Sequence, residues 1–198
     1  MPRAFIAIDV NEEVRRKLVE AQRKLAATGA QLKLVEPENI HITIKFLGDV
    51  PDGRLSEIID AVRRAVANIP QFEMEVQGVG AFPNLRYMRV IWAGVSNGRE
   101  RIIAVQKNVD RELQRLGFQP ERDFVPHLTL ARIKSALQKD KLIELIENMS
   151  TEEFGRTQAR SIELKQSTLT SKGPIYSTLA SIEFTSGTMA DSELYTQK

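Results

Sequence analysis

The chain contains two histidines, and both occupy the same setting: Ile40-His41-Ile42-Thr43-Ile44 and Pro126-His127-Leu128-Thr129-Leu130. Side chains two apart on an extended strand share a face. Each segment therefore presents an imidazole and a hydroxyl to one side, with its flanking aliphatic residues on the other. Two imidazoles facing each other across a cleft suit transfer at a phosphodiester. One takes a proton from an attacking water while the other gives one to the departing alkoxide. The ordinary histidine pKa of roughly 6.5 serves both tasks near neutral pH. The hydroxyls of Thr43 and Thr129 can hydrogen-bond the non-bridging oxygens and stabilise a pentavalent transition state. A lone histidine in a strand is more often structural than functional; the repeated setting raises this pair above that reading.

Composition removes several alternatives. Cysteine is absent, which excludes disulfides, thiol nucleophiles and cysteine-based zinc sites. Two histidines are too few for a multi-histidine metal centre, so neither metal nor cofactor is expected. A formal charge of +2 and a pI near 8.9 permit a nucleic-acid partner without demanding one. No apolar run approaches a membrane span, and the opening MPRAFIAIDV lacks the regions of a signal peptide. A cytoplasmic protein, monomeric and without membrane contact, is expected.

The elements that must position the motifs follow from periodicity. Residues 3–10 read as a buried strand, and Asn11 caps a helix with Glu12 and Glu13 in its first turn and Val14, Leu18, Ala21 and Leu25 on its core face. A polar turn at 36–39 leads to a strand over 40–47, a loop over 48–53, a helix from Arg54 and a strand over 72–79. The same order then recurs. A strand over 89–95 precedes a helix opened by Asn97-Gly98 and stopped at Leu116-Gly117, and Pro126 precedes a strand through Arg132. Ser135 and Gln138 read as a capping box for a helix bearing Leu142, Leu145, Ile146 and Met149. Two strands, near 156–164 and 175–184, close the chain, and the polar residues from Ser186 read as a disordered tail.

The recurrence has a register. His41 and His127 are 86 residues apart, and the same offset sets Thr43 on Thr129, Ala7 on Ala93, Phe5 and Ile6 on Ile91 and Trp92, and Asn11 on Asn97, with no gap. Two similar halves related by an approximate two-fold axis are expected. They form a single α+β domain over 1–185, with 186–198 as its tail.

At these residues the sequence resembles the 2H phosphoesterase superfamily, defined by two His-x-Thr motifs, and more closely the bacterial and archaeal RNA 2',3'-cyclic phosphodiesterases, also called 2'-5' RNA ligases. The resemblance covers roughly residues 2–185. It rests on the block 41–48, on Phe82-Pro83 and the segment 89–94, on 126–132, and on Gly173-Pro174-Ile175-Tyr176. It implies a bilobal fold with antiparallel sheets lining a central cleft and helices outside. It also implies hydrolysis of a terminal RNA 2',3'-cyclic phosphate to a 2'-phosphate, with His41 as proton donor and His127 as proton acceptor. In relatives an aromatic and an arginine flank the terminal base at the positions of Phe46 and Arg132, which are equivalent under the offset of 86. Five residues beyond a histidine is the wrong side of a regular strand, so a bulge or strand end must turn both toward the cleft. Lys45 stands where many relatives carry a small or apolar residue, and an additional phosphate contact is one reading of it.

Other residues carry weaker expectations. Arg86, Arg89, Lys134 and Lys172 can track an RNA backbone or simply be solvated. Trp92 reads as core packing before base stacking. Tyr176 fits a phosphate contact or an ordinary strand aromatic, and Glu121 and Asp123 read as turn residues. Besides hydrolysis, the same residues fit the reverse 2'-5' ligation. An RNA-end-binding module without turnover is the reading from a different class, and intact residues at both motifs weigh against it.

Overall fold

The computed structural model describes residues 3–135, 137–170 and 173–187. The strands are β1 (Arg3–Asp9), β2 (Leu32–Leu34), β3 (His41–Asp49), β4 (Phe72–Phe82), β5 (Val90–Val95), β6 (His127–Ile133), β7 (Glu153–Ala159), β8 (Ser161–Thr170) and β9 (Gly173–Glu183). The helices are α1 (Glu12–Ala27), α2 (Leu55–Val66), α3 (Arg99–Gln114) and α4 (Lys139–Asn148). All strand pairs in the sheet are antiparallel, in the order β7-β4-β5-β6-β3-β1-β8-β9, with β2 added to β6. The α+β class and the bilobal two-fold plan are as expected, and the two half-sheets are continuous with each other.

They join at one point. β3 and β6 meet through the pair Ile42↔Leu128, which are equivalent residues of the two motifs, so the two-fold axis passes between them. Beyond that bridge the edge of β6 is taken by β2, at Leu32↔Ile133 through Leu34↔Ala131. The sheet thus divides on either side of its own centre.

The gap-free offset needs correction. Asp9 pairs with His41 and Gly94 with His127; Ile6 pairs with Lys45 and Ile91 with Ala131. Holding the motif strands at 86 therefore relates β1 to β5 by 85, so that Ala7 corresponds to Trp92 and not to Ala93. The helix caps, Asn11 and Gly98, are 87 apart. Small residues and aliphatics tolerate a one-place misalignment in sequence, whereas hydrogen-bond register does not.

The halves also exchange parts. β4 pairs with β5 of the second half, and β8 pairs with β1 of the first. α1 lies against β6 and β7, and α3 against β3 and α2. These crossings are pinned by buried polar groups. Gln22 on α1 donates from Nε2 to the Leu130 carbonyl (2.8 Å) and to the Val35 carbonyl (2.7 Å). On the equivalent crossing, Lys45 on β3 is buried and pairs with Asp110 on α3 while donating to the Gln119 carbonyl at 2.7 Å. Lys45 therefore faces away from the cleft, which overturns the phosphate contact considered for it.

Other departures are local. Asn11 caps α1 as expected, accepting from Val14 N at 2.9 Å, and the four core positions of that helix are buried. The Ser135/Gln138 capping box is not formed. Gln138 is itself the N-cap, in the left-handed region at φ 57° with no side-chain cap bond, and Ser135 Oγ accepts from Leu137 N at 3.3 Å. The closing segment holds three strands where two were expected, because β7 and β8 turn at Arg160 within what reads as one extended run. Beyond Gly187, the expected tail lies outside the described residues, as does Lys172.

Lys45→Met should leave the Asp110 carboxylate buried without its cation and lower stability by about 3–5 kcal/mol. The double substitution Lys45→Met/Asp110→Leu should recover much of that. Urea unfolding of the three proteins checks it, and a single variant as stable as the parent would contradict the role of the pair.

Candidate active site

The cleft is floored by β3 and β6, and its geometry depends on one irregularity repeated in each. Between Ile6/Ala7 of β1 the partner residues in β3 jump from Lys45 to Thr43, and between Ile91/Trp92 of β5 those in β6 jump from Ala131 to Thr129. Ile44 and Leu130 are the extra residues of these bulges. Each bulge buries two successive residues, Ile44-Lys45 and Leu130-Ala131, and reverses the alternation after them. Phe46 and Arg132 are thereby brought to the face that carries the histidines and threonines. Phe46 is 69 % exposed and is no part of the core.

The cleft has two lobes of about 150 and 340 Å³. Thr43, Phe46, Thr129 and Arg132 border both. His41 lies in the first with Tyr176, and His127 in the second with Phe82. The structure thus brings all six expected residues together, with a histidine at each end and the hydroxyls between. Glu121 and Asp123, read as turn residues, also border the His127 lobe.

Aromatic rings wall each histidine. Phe5 stacks on His41 with centroids 5.0 Å apart, and Tyr176 meets the same imidazole edge-on at 5.6 Å. Phe82 meets His127 edge-on at 4.9 Å, with Trp92 at 6.5 Å. Trp92 is half-buried on the cleft side, not a core residue as expected; it pairs with Thr129 and covers Gly80, where an added Cβ would lie 2.4 Å from the indole. Tyr176 belongs to the cleft wall. Phe5 gives no sign of this in the sequence, because it sits in an unbroken apolar strand.

The two imidazoles differ in their hydrogen bonds. His127 Nδ1 lies 2.7 Å from the Val125 carbonyl oxygen. A carbonyl can only accept, so Nδ1 carries the proton and the neutral ring presents the Nε2 lone pair. His41 has Nε2 3.1 Å from Thr43 Oγ1, and its buried Nδ1 makes no hydrogen bond of good geometry, the Asn39 backbone giving it only a weak contact. Burial pushes the His41 pKa down to about 4, and the Lys165 ammonium pushes the same way, while Asp9 and the Asn39 backbone oppose them. Lys165 is itself held by Asp9 at 2.6 and 2.8 Å. His127 is also lowered by burial, against the Val125 hydrogen bond and Glu121, with Arg132 adding to the depression. Burial raises the Tyr176 phenol. Among the described residues no group of three or more His, Cys, Asp or Glu side chains is arranged to hold a metal ion, and no helix is long and apolar enough to cross a membrane.

Both histidines should be neutral in the free protein at pH 7. Their C2–H resonances should titrate below 6.5, that of His41 near 4. The unfolded chain binds protons at about 6.5, so the His41 contribution to stability should be lost as pH falls from there through about 4. An NMR titration with a midpoint above 6.5 for either ring would contradict the electrostatics described.

The comparisons with known proteins agree with this geometry. The family model "LigT like Phosphoesterase" matches residues 8–92 and 94–176, stretches that begin 86 residues apart, the separation of the two histidines. A protein named RNA 2',3'-cyclic phosphodiesterase from Methanothermobacter thermautotrophicus is 45 % identical over 174 residues, 88 % of this chain and 94 % of its own length. One of the same name from Thermotoga maritima is 39 % identical over 93 % of this chain and 97 % of its own. Among solved structures, TT0787 of Thermus thermophilus superposes with a TM-score of 0.78 at 28 % identity, covering 92 % of this chain and 97 % of that one. The fold is likewise that of E. coli LigT complexed with 3'-AMP, with a TM-score of 0.76 at 24 % identity over 93 % and 98 % of the two chains. With both motifs, the duplicated register and these matches along nearly its whole length, the chain belongs to the LigT-like phosphoesterase family of 2H phosphoesterases.

Proposed function

We propose that the protein hydrolyses the 2',3'-cyclic phosphate at an RNA 3' end to a 2'-phosphomonoester, without a metal ion, as a monomeric single domain over residues 1–185. The observation that carries this reading is the two-fold placement of His41-x-Thr43 and His127-x-Thr129 at opposite ends of one cleft. The names borne by relatives supply the substrate.

In the proposed reaction His127 Nε2 takes a proton from water as the water oxygen bonds to phosphorus. The phosphorus–O3' bond breaks on the far side, and His41 gives a proton to the departing O3'. Thr43 and Thr129 donate to the non-bridging oxygens, whose charge grows in the pentavalent state. The Val125 hydrogen bond supports His127 as the base because it fixes the tautomer with a free Nε2. His41 needs to be protonated to act as the acid, and an anionic phosphate beside it raises its depressed pKa. Attack by a 5'-hydroxyl in place of water gives a 2'-5' linkage by the same route, and water in large excess makes that the minor course.

Incubation of a 2',3'-cyclic nucleotide in excess chelator, with the product isomers separated, tests the proposal. Turnover should persist and yield the 2'-phosphate; restoration only by a divalent ion would sink the metal-free mechanism, and exclusive 3'-phosphate would reverse the assignment of leaving oxygen. His41→Ala and His127→Ala should each lower kcat by about 10² or more, and the double variant should be little worse than either, since the two act as a unit.

Phe46 and Arg132 are proposed to clamp the terminal base, the phenyl face stacking on one side and the guanidinium plane covering the other. Such stacking is worth roughly 1–3 kcal/mol and tolerates any base. Phe46→Ala and Arg132→Ala should raise KM more than they lower kcat, alike for purine and pyrimidine ends. Steady-state kinetics with KM unchanged in both variants would remove the clamp and leave the histidine chemistry standing.

A further inference from the structure

An RNA whose last nucleotide sits in the cleft must leave it on the 5' side, and charge distinguishes the exits. Besides Arg132, which borders both, the His41 lobe carries one cation and one carboxylate, Lys33 and Glu36, and the His127 lobe two carboxylates, Glu121 and Asp123. The third side runs along β5 and β6, where Val90 pairs with Arg132. The next residues outward, Arg89 and Ile133, are joined by the hydrogen bond from Ile133 N to the Arg89 carbonyl at 3.0 Å. Here a separate pocket of about 400 Å³ opens, bordered by Arg86, Tyr87, Arg89, Lys134 and Lys139.

Four features mark this pocket as more than a solvated face. It gathers four cations. None of the four forms an ion pair among the described residues, so no carboxylate there neutralises the charge they gather. Tyr87 is a large aromatic left 64 % exposed, with the Arg86 guanidinium 5.6 Å and the Lys139 ammonium 5.9 Å from its ring centroid. The segment is also held in shape. Asn84 Oδ1 accepts from both Arg86 N and Tyr87 N at 3.0 Å, and Lys139 Nζ donates to the Arg86 carbonyl at 2.5 Å.

We propose that this pocket is a second nucleotide-binding site for the RNA segment upstream of the terminal nucleotide, in which Tyr87 stacks on a base and Arg86, Arg89, Lys134 and Lys139 receive backbone phosphates. Arg132 and Lys134 lie two residues apart on and just beyond β6, a separation of about 7 Å along a strand, so the cleft and the pocket can be occupied by neighbouring parts of one strand. Cations around an exposed ring form the common arrangement for single-stranded nucleic acid. The inference rests on the proposed hydrolysis for its substrate and extends it: the enzyme selects an oligonucleotide end over a mononucleotide.

The test compares kcat/KM for a 2',3'-cyclic mononucleotide and for a short RNA ending in a cyclic phosphate, with equilibrium binding of a labelled RNA ending in a 2'-phosphate measured alongside. The parent protein should favour the oligonucleotide. Tyr87→Ala should lower the oligonucleotide-to-mononucleotide ratio by about tenfold, within the range that loss of one stacked base gives, and Tyr87→Phe should keep it. Lys134→Gln should weaken binding of the labelled RNA and reduce the salt slope of its log Kd by about 0.7, the loss of one phosphate contact to a single strand. A parent that treats both substrates alike, or ratios and slopes unmoved by these variants, would overturn the second site. If no cyclic phosphate is turned over, the catalytic reading fails, and the binding measurement still decides for or against the pocket. Mononucleotide turnover by the variants shows that they are folded.

Discussion

The hydrogen-bonded approach of β3 and β6 at Ile42↔Leu128 fixes where everything else can lie. Because the paired residues are equivalent in the two halves, whatever β3 offers to the cleft is offered again by β6, rotated by half a turn. One imidazole therefore faces the other across a shared floor, as displacement at phosphorus requires. The bridge is short, and that brevity matters as much as its position. A long β3–β6 ladder would close the floor into a flat sheet. A single pair, followed by β2 taking over the edge of β6, lets the sheet part and leaves room for a nucleotide.

The chemistry of the site was the part most legible in the sequence, because two strands rarely share the same alternation of histidine, threonine and aliphatic residues by chance. The bulges were legible only as a necessity. Five residues separate His41 from Phe46, and a regular strand would set them on opposite faces; nothing in Ile44-Lys45 or Leu130-Ala131 announces an extra residue. Register is where the residue types mislead. Ala7 over Ala93 is an identity in the sequence, yet the ladder sets Ala7 against Trp92, and so the indole joins the cleft wall. β2 has no signature because three residues have no period, and β7 and β8 merge because Arg160 carries no turn signal. A lysine two residues beyond a His-x-Thr motif suggests a ligand, whereas the partner of Lys45, Asp110, lies on a helix 65 residues away.

The site's electrostatics show why two identical motifs need not behave identically. His127 has its tautomer set by a backbone carbonyl, while His41 sits in a tighter aromatic enclosure beside a lysine and an aspartate that partly cancel. Burial makes both rings favour neutrality. An anionic phosphate placed beside either ring would shift that balance toward the protonated form by its own charge.

The exchange of α1 and α3 between the lobes has a further consequence. Cut the chain after β4 and the first fragment keeps α1 without the strands β6 and β7 that cover its apolar face, and β1 without β8. The second fragment is stripped in the complementary way, with α3 deprived of β3. Neither fragment can bury its core alone, but two copies of either would complete one another about a two-fold axis. The topology is that of a swapped dimer closed into one polypeptide by the short link between β4 and β5. Within one polypeptide the two equivalent positions need not match, and this chain has Phe46 at one and Arg132 at the other. A symmetric pair of protomers would carry the same residue at both positions; the single chain lines its cleft with a phenyl ring on one side and a guanidinium on the other.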